Sequence, residues 1–167
     1  MKKINLTNRE KEVINLAISV TSGCQPCAKY HIKKCKEENI PETEIYEIIE
    51  QSELIYKKSI EILKQKAISS SVPESKKDLE LNLACENKSE ILVGLSVSYT
   101  LNNTDLFDFY IKKVDQLEVN IVILSFIMQT SKFIFDKAKA HVEILVENHG
   151  VEKEKDKNDD CNPGCCC

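Results

Sequence analysis

The chain of 167 residues has no tryptophan, a single arginine at position 9, four glycines and four prolines. It also lacks strand-like alternation of apolar and polar residues. Apolar residues instead recur at helical spacing, as at Val13, Leu16, Ala17 and Val20, and we predict an all-α fold. The net charge is −4, and no basic stripe with interleaved aromatics is present, so nucleic acid is not an expected partner.

Long apolar runs are missing too. The longest, Val119 to Met128, is too short to cross a bilayer, and Lys2 and Lys3 are not followed by the apolar run of a signal peptide. We therefore expect a cytoplasmic protein with no membrane partner. In a reducing cytosol, the eight cysteines favour catalysis or metal binding over a structural disulfide framework.

Thiols and a base are concentrated in residues 23–31, which read Gly-Cys-Gln-Pro-Cys-Ala-Lys-Tyr-His. Cys24 and Cys27 are three positions apart and can close a disulfide. His31 lies four positions after Cys27, one helical turn along the same face. The string favours thiol redox chemistry, which needs a nucleophile, a partner thiol and a base close together.

The second half of the chain repeats the first. With a shift of 79 residues and no gap, residues 13–63 match 92–142 at ten identical positions, which indicates a duplication. We predict one domain over 1–148, made of an active-motif copy (about 4–68) and a degenerate copy (about 80–147). The charged, cysteine-ended segment 149–167 is predicted to be disordered.

The degenerate copy keeps the helices but not the motif. Asn103, Leu106 and Tyr110 stand at the positions of Cys24, Cys27 and His31. The apolar run at 119–128 predicts a helix that is apolar on nearly all sides and therefore buried, either at the junction of the copies or in an oligomer interface.

Residues 6–49 resemble the alkyl hydroperoxidase D-like (AhpD-like) branch of the carboxymuconolactone decarboxylase family. The resemblance rests on Glu12, on Gly-Cys-x-x-Cys-x-x-x-His, and on the following Ile-Pro-Glu-Thr-Glu-Ile. It implies an oligomeric helical bundle, a trimer or hexamer. It further implies a peroxidase or disulfide reductase that acts on a hydroperoxide or a protein disulfide. Lipoamide, thioredoxin or a peroxiredoxin would be its redox partner, and a Cys24–Cys27 disulfide would replace any tightly bound cofactor.

The expected catalytic residues are Cys24, Cys27, His31 and Glu12. Cys24 begins a helix, where the dipole and free N–H groups favour a thiolate, and we expect it to be the more exposed thiol that meets partners. Cys27 is then the buried thiol, coupled to His31 and Glu12. Pro26 stands where active members of the family carry a histidine, which favours disulfide exchange over fast peroxide reduction.

Three alternatives stay open at this stage. Cys24, Cys27, His31 and Cys35 have metal-ligand residue types, but ligands on one helix surround an ion poorly, and Cys35 is expected to be core. The tail cysteines can exchange disulfides with the Cys24–Cys27 pair, can bind soft metals or metalloids such as As, Hg, Cu or Zn, or have no role beyond a disordered end. They are Cys161, Cys165, Cys166 and Cys167. A lyase activity, the family's other branch, has no use for paired thiols. His141 and His149 have no ligand spacing with a partner.

Overall fold

The structure is a computed structural model that describes residues 6–69, 83, 85–114 and 121–149. Across these residues the secondary structure is entirely α-helical, which confirms the predicted fold class. The helices are α1 (Asn8–Thr21), α2 (Gln25–Glu37), α3 (Glu42–Ser69), α4 (Lys88–Thr100), α5 (Thr104–Val114) and α6 (Ile121–Asn148). Almost all of the predicted 149–167 segment lies outside the described residues.

Local sequence sets the start of α1 and of its counterpart α4. The Glu10 backbone N–H donates to the Thr7 hydroxyl at 3.1 Å, and the Thr7 N–H donates to the Glu10 carboxylate at 2.8 Å. Asn87 and Glu90 form the same capping box on α4. Such a box satisfies backbone donors that the first turn of a helix leaves free.

Helices α1 and α4 pack against each other at the centre of the core. Eight consecutive residues of α4, Ile91 to Ser98, are buried. Its small serines permit this, because Ser96 donates its hydroxyl to the Leu92 carbonyl at 2.7 Å and Ser98 donates to Leu95 at 3.1 Å. A buried hydroxyl that is hydrogen-bonded avoids the cost of lost hydration. The fully buried helix is therefore α4.

The described part of the apolar run, residues 122–128, is only half buried in the single chain. Ile123 and Ile127 are buried, whereas Val122 and Met128 are each about half exposed. The helix is therefore not enclosed on all sides within the single chain, and the other alternative, burial in an oligomer interface, stays a prediction. One stripe of α6 packs against α1 and α4, and a single stripe is all that a helix on the outside of a bundle buries.

Each of the two long helices packs against helices of both halves of the chain. Helix α3 follows α1 and α2 in the chain but packs against α4 as well as α1, and α6 packs against α1 and α2 as well as α4. Local geometry also recurs at the 79-residue shift. Gly23 and Asn102 both adopt the left-handed conformation, with φ of 68° and 53°. The division into two copies stays a prediction, and this recurrence supports it.

Within the described ranges, none of the helices is long and apolar enough to cross a membrane.

Candidate functional site

Cys24 and Cys27 form a disulfide at the first turn of α2, with their Cα atoms 5.2 Å apart. Cys24 is the N-cap residue, and its sulfur accepts the Cys27 backbone N–H at 3.3 Å. Pro26, which has no N–H to lose there, is tolerated in this turn. When the disulfide is reduced, the helix dipole and this N–H favour negative charge on the Cys24 sulfur.

The exposure of the two sulfurs is opposite to the expectation from sequence. Cys24 is only 3% exposed, whereas Cys27 is partly buried at the edge of the core. The prediction that Cys24 is the more exposed thiol was therefore wrong. The reason is long-range: α6 packs over the start of α2 and covers Cys24, and no residue near the motif encodes that contact.

His141 of α6 is the residue that covers Cys24. Its Nδ1 lies 3.5 Å from the Cys24 sulfur, although the two residues are 117 positions apart. Sequence reasoning missed this neighbour. A signal was present, because His141 replaces the buried Ile62 of the first copy. A histidine at a core position usually has a polar partner.

His31 is oriented by a carboxylate from α1. Its Nδ1 lies 2.8 Å from Glu12 Oε2, and Asn15 donates to the other Glu12 oxygen at 3.3 Å. Because a carboxylate only accepts, His31 Nδ1 carries the proton and Nε2 is left as the acceptor. The structure thus brings Glu12 and His31 together as expected and adds Asn15, which the sequence analysis did not single out.

Cys35 lies apart from the disulfide. It is completely buried, and its thiol donates to the Glu12 backbone carbonyl at 3.7 Å. Burial, aided by the negative charges of Glu12 and Glu44, raises the pKa of Cys35 to about 12. It is therefore an inert thiol at neutral pH. The set of Cys24, Cys27, His31 and Cys35 is not assembled as a metal site.

Among the described thiols, Cys85 also lies apart from this centre. Cys85 lies half-buried just before α4, and burial raises the pKa of its thiol. The four tail cysteines lie outside the described residues, so their predicted roles stay predictions.

Comparison with known proteins agrees with this geometry. The model of the carboxymuconolactone decarboxylase family matches residues 2–59, which is about a third of the chain and includes Glu12, the two cysteines and His31. This segment of the chain is thus similar to that family. The resemblance drawn from the motif is thereby confirmed, and family and disulfide together are compatible with a redox role. Neither a curated protein nor a solved structure matches the chain significantly.

Proposed function

We propose that the protein is a thiol–disulfide oxidoreductase that uses the Cys24–Cys27 pair to reduce a hydroperoxide or a partner protein disulfide. One observation supports this above all: a histidine from a distant helix, His141 on α6, lies 3.5 Å from the sulfur of Cys24 in the disulfide. His31 follows Cys27 by four residues on α2, which puts a second possible base one helical turn from the other sulfur.

In the proposed cycle a donor dithiol first reduces the disulfide and is itself oxidised. Cys27, the more exposed sulfur, attacks the hydroperoxide as a thiolate, which forms a sulfenic acid and releases an alcohol. Cys24 then attacks the Cys27 sulfur, and water leaves as the disulfide re-forms. With a protein disulfide as substrate, Cys27 forms a mixed disulfide and Cys24 releases the reduced product.

The histidines carry the protons of these steps. His141 takes the proton of Cys24, so that this buried sulfur attacks as a thiolate. His31 takes the proton of Cys27, and the Glu12 carboxylate at 2.8 Å stabilises the imidazolium that results. Pro26 supplies no further proton carrier, which favours a protein or small-molecule disulfide over peroxide as the faster substrate.

The test is turnover of the full chain with dihydrolipoamide and, separately, thioredoxin as donor. Hydroperoxide and a model protein disulfide are the acceptors. We expect Cys24→Ser and Cys27→Ser each to lose nearly all turnover, because both sulfurs act in every cycle. Mass spectrometry after mild peroxide should find the Cys24–Cys27 disulfide in the wild type.

Cys85→Ser is the matched control, since Cys85 lies away from the pair, and it should turn over like the wild type. Wild-type rates in either Cys24→Ser or Cys27→Ser would show that the chemistry does not use this pair. A variant with the four tail cysteines changed to serine separates a relay by the tail from chemistry at α2.

Assembly is a further part of the proposal. Helix α6 exposes large apolar side chains over most of its length, which a lone soluble chain rarely does. They include Met128, Phe133, Phe135, Ile144 and Leu145. We propose that copies of the chain pack on this face as a trimer or hexamer, measurable by light scattering, and that Phe133→Ser with Phe135→Ser dissociates them.

A further inference from the structure

Three ligand atoms with metal-binding chemistry converge at the start of α2. The sulfurs of Cys24 and Cys27 and a ring nitrogen of His141 all lie within 4.8 Å of one another. The Cys24 sulfur and His141 Nδ1 are 3.5 Å apart. Zn–S and Zn–N bonds of about 2.3 and 2.0 Å at a tetrahedral angle place these two atoms about 3.5 Å apart. The histidine therefore already stands at ligand distance from the cysteine.

This set avoids the objection to a metal site on one helix. Cys24 and Cys27 come from the first turn of α2, whereas His141 comes from α6, which packs over that turn. An ion held between them is approached from two sides, as tetrahedral coordination requires. Cys27 is partly exposed, so a fourth position can be open to water.

Local structure also favours the thiolate form that a metal needs. The Cys27 backbone N–H donates to the Cys24 sulfur at 3.3 Å, and the helix dipole adds positive potential at the same place. His31 is not one of the three residues whose ligand atoms converge here, and its Nδ1 is held by Glu12. Cys35 does not compete either, because it is buried against α1 and bonds to the Glu12 carbonyl.

We propose that the dithiol form of the protein binds one thiophilic divalent ion of the zinc class through Cys24, Cys27 and His141. Binding replaces the two thiol protons, so that M²⁺ and two thiols give a dithiolate complex and two H⁺. The disulfide and the metal complex use the same two sulfurs and exclude each other. A hydroperoxide converts one to the other: the complex, ROOH and two H⁺ give the disulfide, ROH, water and free M²⁺.

The experiment is a titration of the reduced full chain with Co²⁺, after the four tail cysteines have been changed to serine so that only the helical domain offers thiols. We expect one Co²⁺ per chain, with the thiolate-to-cobalt charge-transfer and visible bands of a tetrahedral site. Zn²⁺ should displace the cobalt, and one equivalent of hydroperoxide should release it. Cys24→Ser should abolish the charge-transfer spectrum.

His141 decides whether the site is the one proposed. His141→Asn should weaken cobalt affinity at least tenfold, because it removes one of the three protein ligands. His149→Asn, an exposed residue in the same part of the chain, is the control and should leave the affinity unchanged. His141→Cys restores a ligand and should recover binding with a stronger charge-transfer band. Circular dichroism verifies that each variant is helical.

The outcomes separate this proposal from the redox function. No cobalt uptake by the folded, reduced protein would overturn it, and so would uptake that His141→Asn leaves unchanged. Cobalt binding is read without turnover. An inactive protein that binds Co²⁺ through these residues would therefore sink the oxidoreductase and leave the metal site standing, and an active protein that ignores Co²⁺ would do the reverse.

Discussion

The two predicted repeats have different residues at the same turn. In the first, the Cys24 sulfur accepts the Cys27 N–H at 3.3 Å; in the second, the Asn103 amide oxygen accepts the Leu106 N–H at 3.1 Å. Each of these capping residues also contacts the long helix of the opposite half. Cys24 meets His141 of α6, and Asn103 donates to Ser59 of α3 at 2.9 Å.

The comparison extends to the helix that precedes each cap. Where the first repeat has Asn15 and His31 beside Glu12, the second has Gly94 and Tyr110, and the Tyr110 ring lies against the glycine. Burial raises the pKa of the Tyr110 hydroxyl far above its ordinary value. The second copy thus has a buried tyrosine where the first has His31. The equivalent positions of the scaffold therefore do not require polar residues.

The largest expected effect tests the packing of the second repeat. A Cβ added in Gly94→Ala would overlap ring carbons of Tyr110, and a buried ring has little room to move. We expect a loss of about 3 kcal/mol in the free energy of unfolding, measured with urea. Asn15→Ala, the equivalent position in the first repeat, should cost only about 1 kcal/mol. Equal losses at both positions would show that Gly94 is packed no more tightly than Asn15.

The next effect concerns activity. Glu12→Gln keeps the size of the side chain and one oxygen to accept from His31, but it removes the charge that stabilises the His31 imidazolium. Turnover should fall about 100-fold, with the acid limb of the pH–rate profile altered and unfolding unchanged. Glu47→Gln, an exposed residue of α3, is the control and should behave as wild type. A Glu12→Gln enzyme of full activity would leave His31 without a carboxylate partner in the mechanism.

Smaller changes in unfolding free energy are expected when the two helix-capping residues, Cys24 and Asn103, are substituted. In reduced protein, Cys24→Asn copies the second repeat and should be as stable as wild type, whereas Cys24→Ala loses the cap and should cost about 1 kcal/mol. Asn103→Ala loses the cap and the Ser59 bond together and should cost about 2 kcal/mol. Urea denaturation with a reductant present measures all three, and a destabilised Cys24→Asn would mean that the caps are not equivalent.

The smallest effect appears only at alkaline pH. Cys35→Val gives the first repeat the residue that the second has at Val114. Above pH 9 the unfolded wild type releases the Cys35 proton, while the folded chain holds it to a pKa of about 12. Rising pH therefore favours unfolding, by about 1.4 kcal/mol per unit. Between pH 8 and pH 10 wild type should lose about 1 kcal/mol more stability than Cys35→Val. Parallel losses in the two proteins would argue against the raised thiol pKa.

Sequence reasoning reached everything that local rules determine. The Thr7–Glu10 capping box, the bounds of α1 at 8–21 and the place of Pro26 in the first turn of α2 are features of this kind, since each depends on neighbours within four residues. The Cys24–Cys27 pairing and the helical spacing to His31 are local as well. The family match over 2–59 supports the same part of the chain.

What depends on the packing of distant helices was out of reach. The cover that α6 places over Cys24 reverses the exposure expected for the two thiols, and it joins residues 117 positions apart. Residues Ile91 to Ser98 of α4 are buried because serines and a glycine allow neighbouring helices to approach closely. A hydropathy pattern scores these small residues as weakly apolar or polar, so it does not predict their burial.

Because α3 and α6 each pack against helices of the opposite half, the predicted duplication has a consequence for how the site could have arisen. In a chain of one repeat, the same architecture would need two copies, and each cysteine pair would be covered by the partner's long helix. Such a dimer is symmetric, so cysteines and histidine would have to be encoded together in every copy. Joining two copies in one chain removes that constraint. One half can then carry the thiols while the other carries the imidazole, and neither gene segment alone encodes the whole centre.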